Sequence, residues 1–117
     1  MNNKEFSKLL EKRTLDFGVR IIRLSASLPD TPEGREIRRQ ISKSGTSIGA
    51  NYREANRARS KADFRSKIRI CEGEASETQH WLKTIAGVGW LSEEGMKFEM
   101  KEYGELLTIF TSISNKS

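Results

Sequence analysis

Apolar residues recur every three or four positions in four separate stretches of this sequence, and this period most constrains the fold. The first series runs through Phe6, Leu10, Phe17, Ile21, Leu24 and Leu28. Such spacing places the apolar side chains on one face of an α-helix. Three similar stretches follow, and no stretch of useful length alternates apolar and polar residues as a half-buried strand does. The pattern predicts helices over 4–28, 33–58, 61–87 and 93–113.

Residues with strong preferences for helix ends lie between these stretches. Pro29 and Pro32 interrupt the first pattern, because proline lacks the backbone N–H that a helix interior requires. Thr31 can cap the start of the second helix, and Ser60 can cap the third. The connections are short, so neighbouring helices should run antiparallel. We therefore expect residues 1–117 to form a single all-α domain, an antiparallel up-down-up-down four-helix bundle.

The four apolar series also predict which side chains form the core. The predicted core residues are Ile41, Ile48, Phe64, Ile68, Leu82, Leu107 and Phe110. Leu9, Leu15 and Ile22 fall beside the first series and should widen its apolar face. In the second helix, residues 42–50 are unusually small and include two glycines, each of which costs ~1 kcal/mol of helix propensity relative to alanine. Either a neighbouring helix approaches closely here, or the helix is weak or kinked.

Charge is distributed unevenly along the chain, although the net charge is only +5. Residues 33–70 carry eleven basic and four acidic side chains, whereas residues 71–117 carry four basic and eight acidic ones. This division suits a basic surface that binds nucleic acid. It equally suits pairing between the two parts, within one chain or between copies. A third interpretation is that the outer helix faces are simply exposed to water and happen to be basic.

The residue types that carry catalysis or bind metals are scarce. One cysteine excludes an internal disulfide framework and a four-cysteine zinc site. Glu77 and His80 form one Glu-x-x-His pair, whereas di-iron bundles use two such pairs with further inward carboxylates. Cys71 lies on the third apolar series without a candidate base, which favours a buried thiol over a nucleophile. We therefore expect no enzymatic activity, no metal and no cofactor.

Two further features bear on where the protein acts. No apolar run approaches the ~18 residues that span a bilayer. The first residues lead into no long apolar segment typical of a secretory signal. The sequence therefore predicts a protein of the reducing cytoplasm with no membrane partner.

Basic residues are better organised than any catalytic group. The candidate nucleic-acid-binding residues are Arg35, Arg39, Lys43, Arg53, Arg57, Lys61 and Arg65. Rotation by about 100° per residue puts the first five on the side of the second helix opposite its isoleucines. Clustered cations on an outer surface suit phosphates of RNA or DNA, and such contacts position the partner without reading its sequence. Nearby acids should neutralise some of the cations, namely Glu33, Glu36, Glu54 and Asp63.

Several motifs resemble those of a known bacterial family. Residues 46–64, TSIGANYREANRARSKADF, are similar to the central signature of the four helix bundle protein family. These proteins are also called 23S rRNA intervening-sequence proteins, because some are encoded inside large-subunit ribosomal RNA genes. Residues 74–82 resemble the family's second signature, and residues 38–41 together with Ser44 are similar to the family's sequences upstream of the central signature. Ala55 stands where the family often has glycine.

The resemblance covers roughly residues 10–112 and implies a bundle that assembles as a homo-oligomer, specifically a homopentamer. A related branch, the accessory variability proteins of diversity-generating retroelements, binds nucleic acid and a reverse transcriptase. The family has no established catalytic residues. Two functions remain open: an RNA-associated oligomeric adaptor, or a structural module whose charges serve self-assembly or docking of a partner such as a reverse transcriptase. In the second case, the arginines would pair with acids of an adjacent copy, namely Glu93, Glu94, Glu99 or Glu102.

Overall fold

The computed structural model describes residues 3–116 and contains four α-helices. They are α1 (Asn3–Ala26), α2 (Pro32–Ala55), α3 (Lys61–Val88) and α4 (Lys97–Lys116). A short 3-10 turn, Glu94–Met96, precedes α4, and no strand occurs within the described residues. The prediction of an all-helical fold is confirmed. The helices pack into a body that measures 44 × 25 × 21 Å.

Several helix boundaries differ from the predicted ones: α1 ends at Ala26 rather than at residue 28, and α4 runs to Lys116 rather than to residue 113. Two others differ for local reasons. The second helix ends at Ala55 rather than at residue 58, because the amides of Arg57 and Ala58 bond to carbonyls three residues back. These are tighter, 3-10-type hydrogen bonds, which are common at helix ends. The fourth helix begins at Lys97 rather than at residue 93. There the Ser92 hydroxyl accepts a hydrogen bond from the Gly95 amide at 3.0 Å and starts the 3-10 turn instead.

The predicted caps of α2 and α3 are confirmed. Thr31 Oγ1 accepts a hydrogen bond from the Gly34 amide at 3.0 Å, and Pro32 occupies the first helical position. Ser60 Oγ accepts one from the Asp63 amide at 3.0 Å. These bonds satisfy amides that have no partner within the helix, so they fix where α2 and α3 begin.

The core contains most, but not all, of the predicted side chains. Five are buried: Ile41, Ile48, Ile68, Leu82 and Phe110. The expectation was wrong for Phe64 and Leu107, which are only partly buried against the core. Phe64 lies in the first turn of α3, where the helix is only starting. In α4 Phe110 is buried as predicted, but the fully buried leucine is Leu106 rather than Leu107.

The small stretch of α2 lies directly against α1. A Cβ added to Gly45 would stand 2.7 Å from Ile21 Cγ2, and one on Gly49 would stand 3.3 Å from the backbone of Leu15. A Cβ on Gly18 of α1 would stand 3.4 Å from the Thr46 backbone. The glycines therefore permit close approach of two helices, as one of the two sequence interpretations expected. The helix that approaches is α1 of the same chain.

The helices follow one another around the bundle, with one open side. Short polar contacts join neighbours inside the core: Ser42 Oγ donates to Ser25 Oγ at 3.1 Å, and Thr78 Oγ1 donates to Ser44 Oγ at 2.9 Å. The pairs α1–α2, α2–α3 and α3–α4 pack extensively, whereas α1 and α4 touch far less.

Within the described residues, no helix is long and apolar enough to cross a membrane.

The α1–α2 contact leads to a prediction about Gly45. Gly45→Ala should lower the free energy of unfolding by about 1 kcal/mol or more, because overpacking costs about 1–3 kcal/mol and alanine's helix propensity offsets only part of it. The branched Ile21 side chain cannot easily move away, since its nearest atoms are Cβ and both Cγ atoms. Urea unfolding measures the change. The matched control is Gly73→Ala in α3, where a Cβ meets nothing within 4 Å and stability should rise. Equal or greater stability of Gly45→Ala would contradict the packing argument.

The buried thiol of Cys71 leads to a second prediction. Its Sγ lies 3.5 Å from the carbonyl oxygen of Ile48, and burial raises the pKa of the thiol to about 12. Because the thiolate is the reactive form, the native protein should not react with a disulfide reagent as pH rises from about 7 to 9. Unfolding in urea should make the same thiol react at once. Fast, complete labelling of the native protein would show that the site opens or ionises.

Candidate nucleic-acid interface

The seven predicted cations lie on the outer surfaces of α2 and α3. All are exposed except Arg65, which is half-buried. The opposite face of α2 carries the buried side chains Ile41, Ile48 and Tyr52, so the four predicted cations within this helix point away from the core, as their spacing indicated. The prediction placed Arg57 on the same helix, but α2 ends at Ala55 and Arg57 lies in the turn that follows. The cations of α2 are Arg35, Arg39, Lys43 and Arg53, and those of α3 are Lys61 and Arg65.

Two of these cations are neutralised by nearby acids. Arg35 Nη1 donates to Asp30 Oδ1 at 2.9 Å, in the turn before α2. Arg39 Nη2 donates to Glu36 Oε1 at 2.8 Å, one helical turn away. Hydrogen bonds from Arg39 and from a neighbouring glutamine lower the pKa of the Glu36 carboxyl. These two arginines therefore add less free positive charge than the sequence count implies.

Four of the cations make no ion pair within residues 3–116: Lys43, Arg53, Arg57 and Lys61. Lys43 lies near Glu74 of α3. Burial raises the pKa of that carboxyl, and Lys43 opposes part of the rise. The basic surface available for a partner is thus centred on these four residues, which we call the open cations.

Acids of α4 that could have served an adjacent copy are used within the chain. Arg13 of α1 donates two hydrogen bonds to Glu102 at 2.7 Å and one to Glu105 at 2.6 Å. Arg20 donates to Glu99 at 2.5 Å, and only 6% of Glu99 is exposed. Glu99 and Glu102 are therefore already engaged within the chain, and pairing of the arginines with acids of an adjacent copy stays a prediction. The long side chains of Arg13 and Arg20 extend from α1 to these acids of α4.

The environment of these arginines strengthens the contact between α1 and α4. The two-pronged bond to Glu102 raises the pKa of Arg13 above its already high usual value, against the opposing effect of burial. The Arg20 guanidinium stands 3.8 Å from the centroid of the Phe98 ring, within the range of a cation–π interaction. Charged groups thus join two helices whose backbones approach each other at few points.

Two open grooves flank α1, and the sequence interpretation missed both. The groove between α1 and α4 has a volume of about 1030 Å³, and the groove between α1 and α2 one of about 700 Å³. Leu9, Leu15 and Ile22, expected to widen the buried face, are exposed beside these grooves. The available signal was that α1 carries apolar residues on more than one side, which exceeds what one buried stripe needs.

The residues considered for catalysis or metal binding lie apart from one another. Among residues 3–116, no three His, Cys, Asp or Glu side chains come together to hold a metal ion. His80 is exposed, and its ring meets the edge of Trp81 with centroids 4.7 Å apart. Cys71 is buried in the core.

Comparisons with known proteins agree with this geometry. A crystal structure of a protein of unknown function from the S23 ribosomal protein family of Bacteroides thetaiotaomicron superposes with a TM-score of 0.83. The two chains are 36% identical, and the match covers 89% of this chain and 96% of the other. No curated protein matches the chain. A family model described as 23S rRNA-intervening sequence protein matches residues 9–112, which confirms the resemblance seen in the motifs. The chain belongs to the 23S rRNA-intervening sequence protein family.

Proposed function

We propose that this protein is a non-enzymatic, oligomeric adaptor that binds the phosphate backbone of RNA through the basic faces of α2 and α3. One observation carries the proposal: the open cations are exposed on these faces and have no acidic partner within 4 Å in the described part of the chain. Cations that are not already paired gain most from contact with phosphates, and they release the counterions condensed on the nucleic acid. The sequence of the RNA would matter little, because such contacts position without specifying.

The proposed assembly builds on the packing of the helices. Along α1, residues 14, 18, 21 and 25 meet residues 49, 46, 45 and 42 of α2, which supports the antiparallel, up-down-up-down arrangement. The family resemblance favours a homopentamer of such bundles. Several copies of a modest basic surface would bind one polyanion by avidity. The single cysteine, a buried free thiol, fits action in a reducing cytoplasm.

A second candidate function is supported by a different observation. The helix α1 exposes large apolar side chains, with Leu15 at 64% and Leu9 at 53%. Such residues suit a protein interface more than a phosphate contact. In this alternative the protein is a structural module that assembles with itself or docks a partner such as a reverse transcriptase. Arg53 and Arg57, which border one groove of α1, would then serve the interface.

The RNA proposal predicts that the open cations matter and the paired ones do not. Arg53→Gln with Arg57→Gln should weaken binding of a short RNA hairpin in a gel shift, because two unpaired phosphate contacts are removed. The matched control is Arg35→Gln with Arg39→Gln, which removes the same number of arginines from the same face, but ones already paired with Asp30 and Glu36. The control should bind RNA nearly as well as the wild type.

The mass of the same variants separates the two functions. Under the RNA proposal, light scattering gives the wild-type mass for Arg53→Gln with Arg57→Gln. If instead this variant falls to the single-chain mass of 13.3 kDa, the two arginines serve assembly and the interface function gains support. If the wild type binds no RNA hairpin even at about 50 mM salt, the RNA proposal fails.

Salt provides an independent prediction for the wild-type protein. If about six phosphates are contacted, affinity for the hairpin should fall on the order of a thousandfold between about 50 and 200 mM salt. The slope of affinity against salt should be shallower for Arg53→Gln with Arg57→Gln than for the wild type. A slope near zero for the wild type would exclude phosphate contacts as the source of affinity.

A further inference from the structure

The groove between α1 and α2 has an apolar wall and a floor made of small residues. Leu15, Val19 and Ile22 are spaced by four and three positions, so they form one stripe along α1, with 64%, 43% and 44% of each exposed. The floor of the groove includes Gly49 and Ala50 of α2. We call this surface the α1–α2 groove. Its shape and chemistry suit the side of another protein more than a polyanion.

The fold itself does not need this stripe. The inward face of α1 is supplied by Phe17 and Ile21, which are 2% and 0% exposed. The glycines of the α1–α2 contact already bring the two backbones together, so α1 has no room to turn the stripe inward. An uncovered apolar stripe of this length, beside an apolar groove, is typical of a protein interaction site.

The charges around the groove identify the kind of surface that fits it. Three cations border it, Lys12, Arg53 and Arg57, against one carboxylate, Glu11. Lys12 pairs with Asp16, whereas Arg53 and Arg57 make no ion pair within residues 3–116. Glu11 accepts a hydrogen bond from Asn56, the residue after α2. A partner with an apolar centre and acidic margins would therefore be complementary in both hydrophobicity and charge.

The same chain carries such a surface at one end of the bundle. There the turn before α2 meets the end of α3, and Ile37, Val88 and Trp90 line a groove of about 830 Å³. Its charged residues are Glu33 and Glu36, with no cation among the lining residues. Glu36 is paired with Arg39, so Glu33, which makes no ion pair within residues 3–116, supplies the open negative charge. We call this surface the end patch. Val88 is 56% exposed, although it is a large apolar residue.

We propose that a second copy of this chain covers the α1–α2 groove, with its end patch seated on the Leu15–Ile22 stripe. The inference rests on the self-assembly in the proposed function and names the surfaces that carry it. The two surfaces differ, so the contact is head-to-tail and extends into a ring or a fibre.

The apolar centre provides most of the affinity, whereas the marginal charges mainly guide the encounter. Loss of the two arginines therefore leaves the assembly in place, in agreement with the mass expected for Arg53→Gln with Arg57→Gln. Loss of an apolar residue at the centre, in contrast, should break the assembly. A lysine at position 15 would place a charge in the contact and should weaken association by roughly thirtyfold or more.

The test uses light scattering at micromolar concentration on the full-length protein and three variants. Leu15→Lys and Val88→Lys should each give the single-chain mass of 13.3 kDa, while the wild type gives a multiple of it. The matched control is Ile70→Lys on α3, which changes an aliphatic residue that is 41% exposed but belongs to neither surface, and it should assemble as the wild type does. A mixture of Leu15→Lys and Val88→Lys should form a dimer of twice the single-chain mass, because one variant keeps the groove and the other keeps the end patch.

Each of the following results would overturn the proposed assembly, the inference or the choice of the end patch. A wild type of 13.3 kDa overturns the proposed assembly together with this inference. An assembled wild type with an equally assembled Leu15→Lys overturns the inference alone, since copies then meet elsewhere. If Leu15→Lys gives the single-chain mass but Val88→Lys stays assembled, the end patch is excluded as the surface that covers the groove. If Leu15→Lys loses its helical circular dichroism signal, Ile22→Lys on the same stripe provides the decisive variant.

Discussion

The rest of the structure depends on the close contact between α1 and α2. Gly18 and Gly49 let the two backbones come close, and Gly45 makes room for the Ile21 side chain between them. The gain is dense packing around Ile21, which offsets the ~1 kcal/mol that a glycine costs within a helix. This contact also fixes the rotation of both helices. One side of α2 is turned to the core, its cations face outward, and the flank of α1 that carries Leu15 and Ile22 stays outside.

The opposite side of α1 is held in a different way. The backbones of α1 and α4 approach each other far less than those of α1 and α2, and Arg13 and Arg20 bridge the two helices to Glu102 and Glu99. Glu99 is nearly fully buried, and the Arg20 guanidinium supplies a positive partner there. The helix α1 is therefore packed closely against α2 on one side and joined to α4 by ion pairs on the other. Some acids of the acidic half are thus engaged within the molecule, while the open cations make no ion pair among residues 3–116.

The sequence predicted the parts of this fold that local chemistry controls. Thr31 and Ser60 cap helices because of their own hydroxyl groups, and the period of the isoleucines in α2 set the direction of its cations. In α4 the burial of Phe110 was predicted, but Leu107 was chosen where Leu106 is buried, because the two leucines are chemically equal and only tertiary packing separates them. Contacts between residues far apart in the chain were inaccessible. The bond between Arg13 and Glu102 joins residues 89 positions apart, so no local pattern could pair them.

The candidate surface, too, was predictable only in part. Helical rotation predicted that the cations are exposed, but whether each cation is paired depended on which acid lay within reach.

The most direct test of RNA binding is lysine footprinting by mass spectrometry, with and without a short RNA hairpin. The account predicts that RNA slows acetylation of Lys43 and Lys61, while Lys97 and Lys101 on α4 react as before. Equal protection of all four lysines, or protection of the α4 lysines alone, would contradict it.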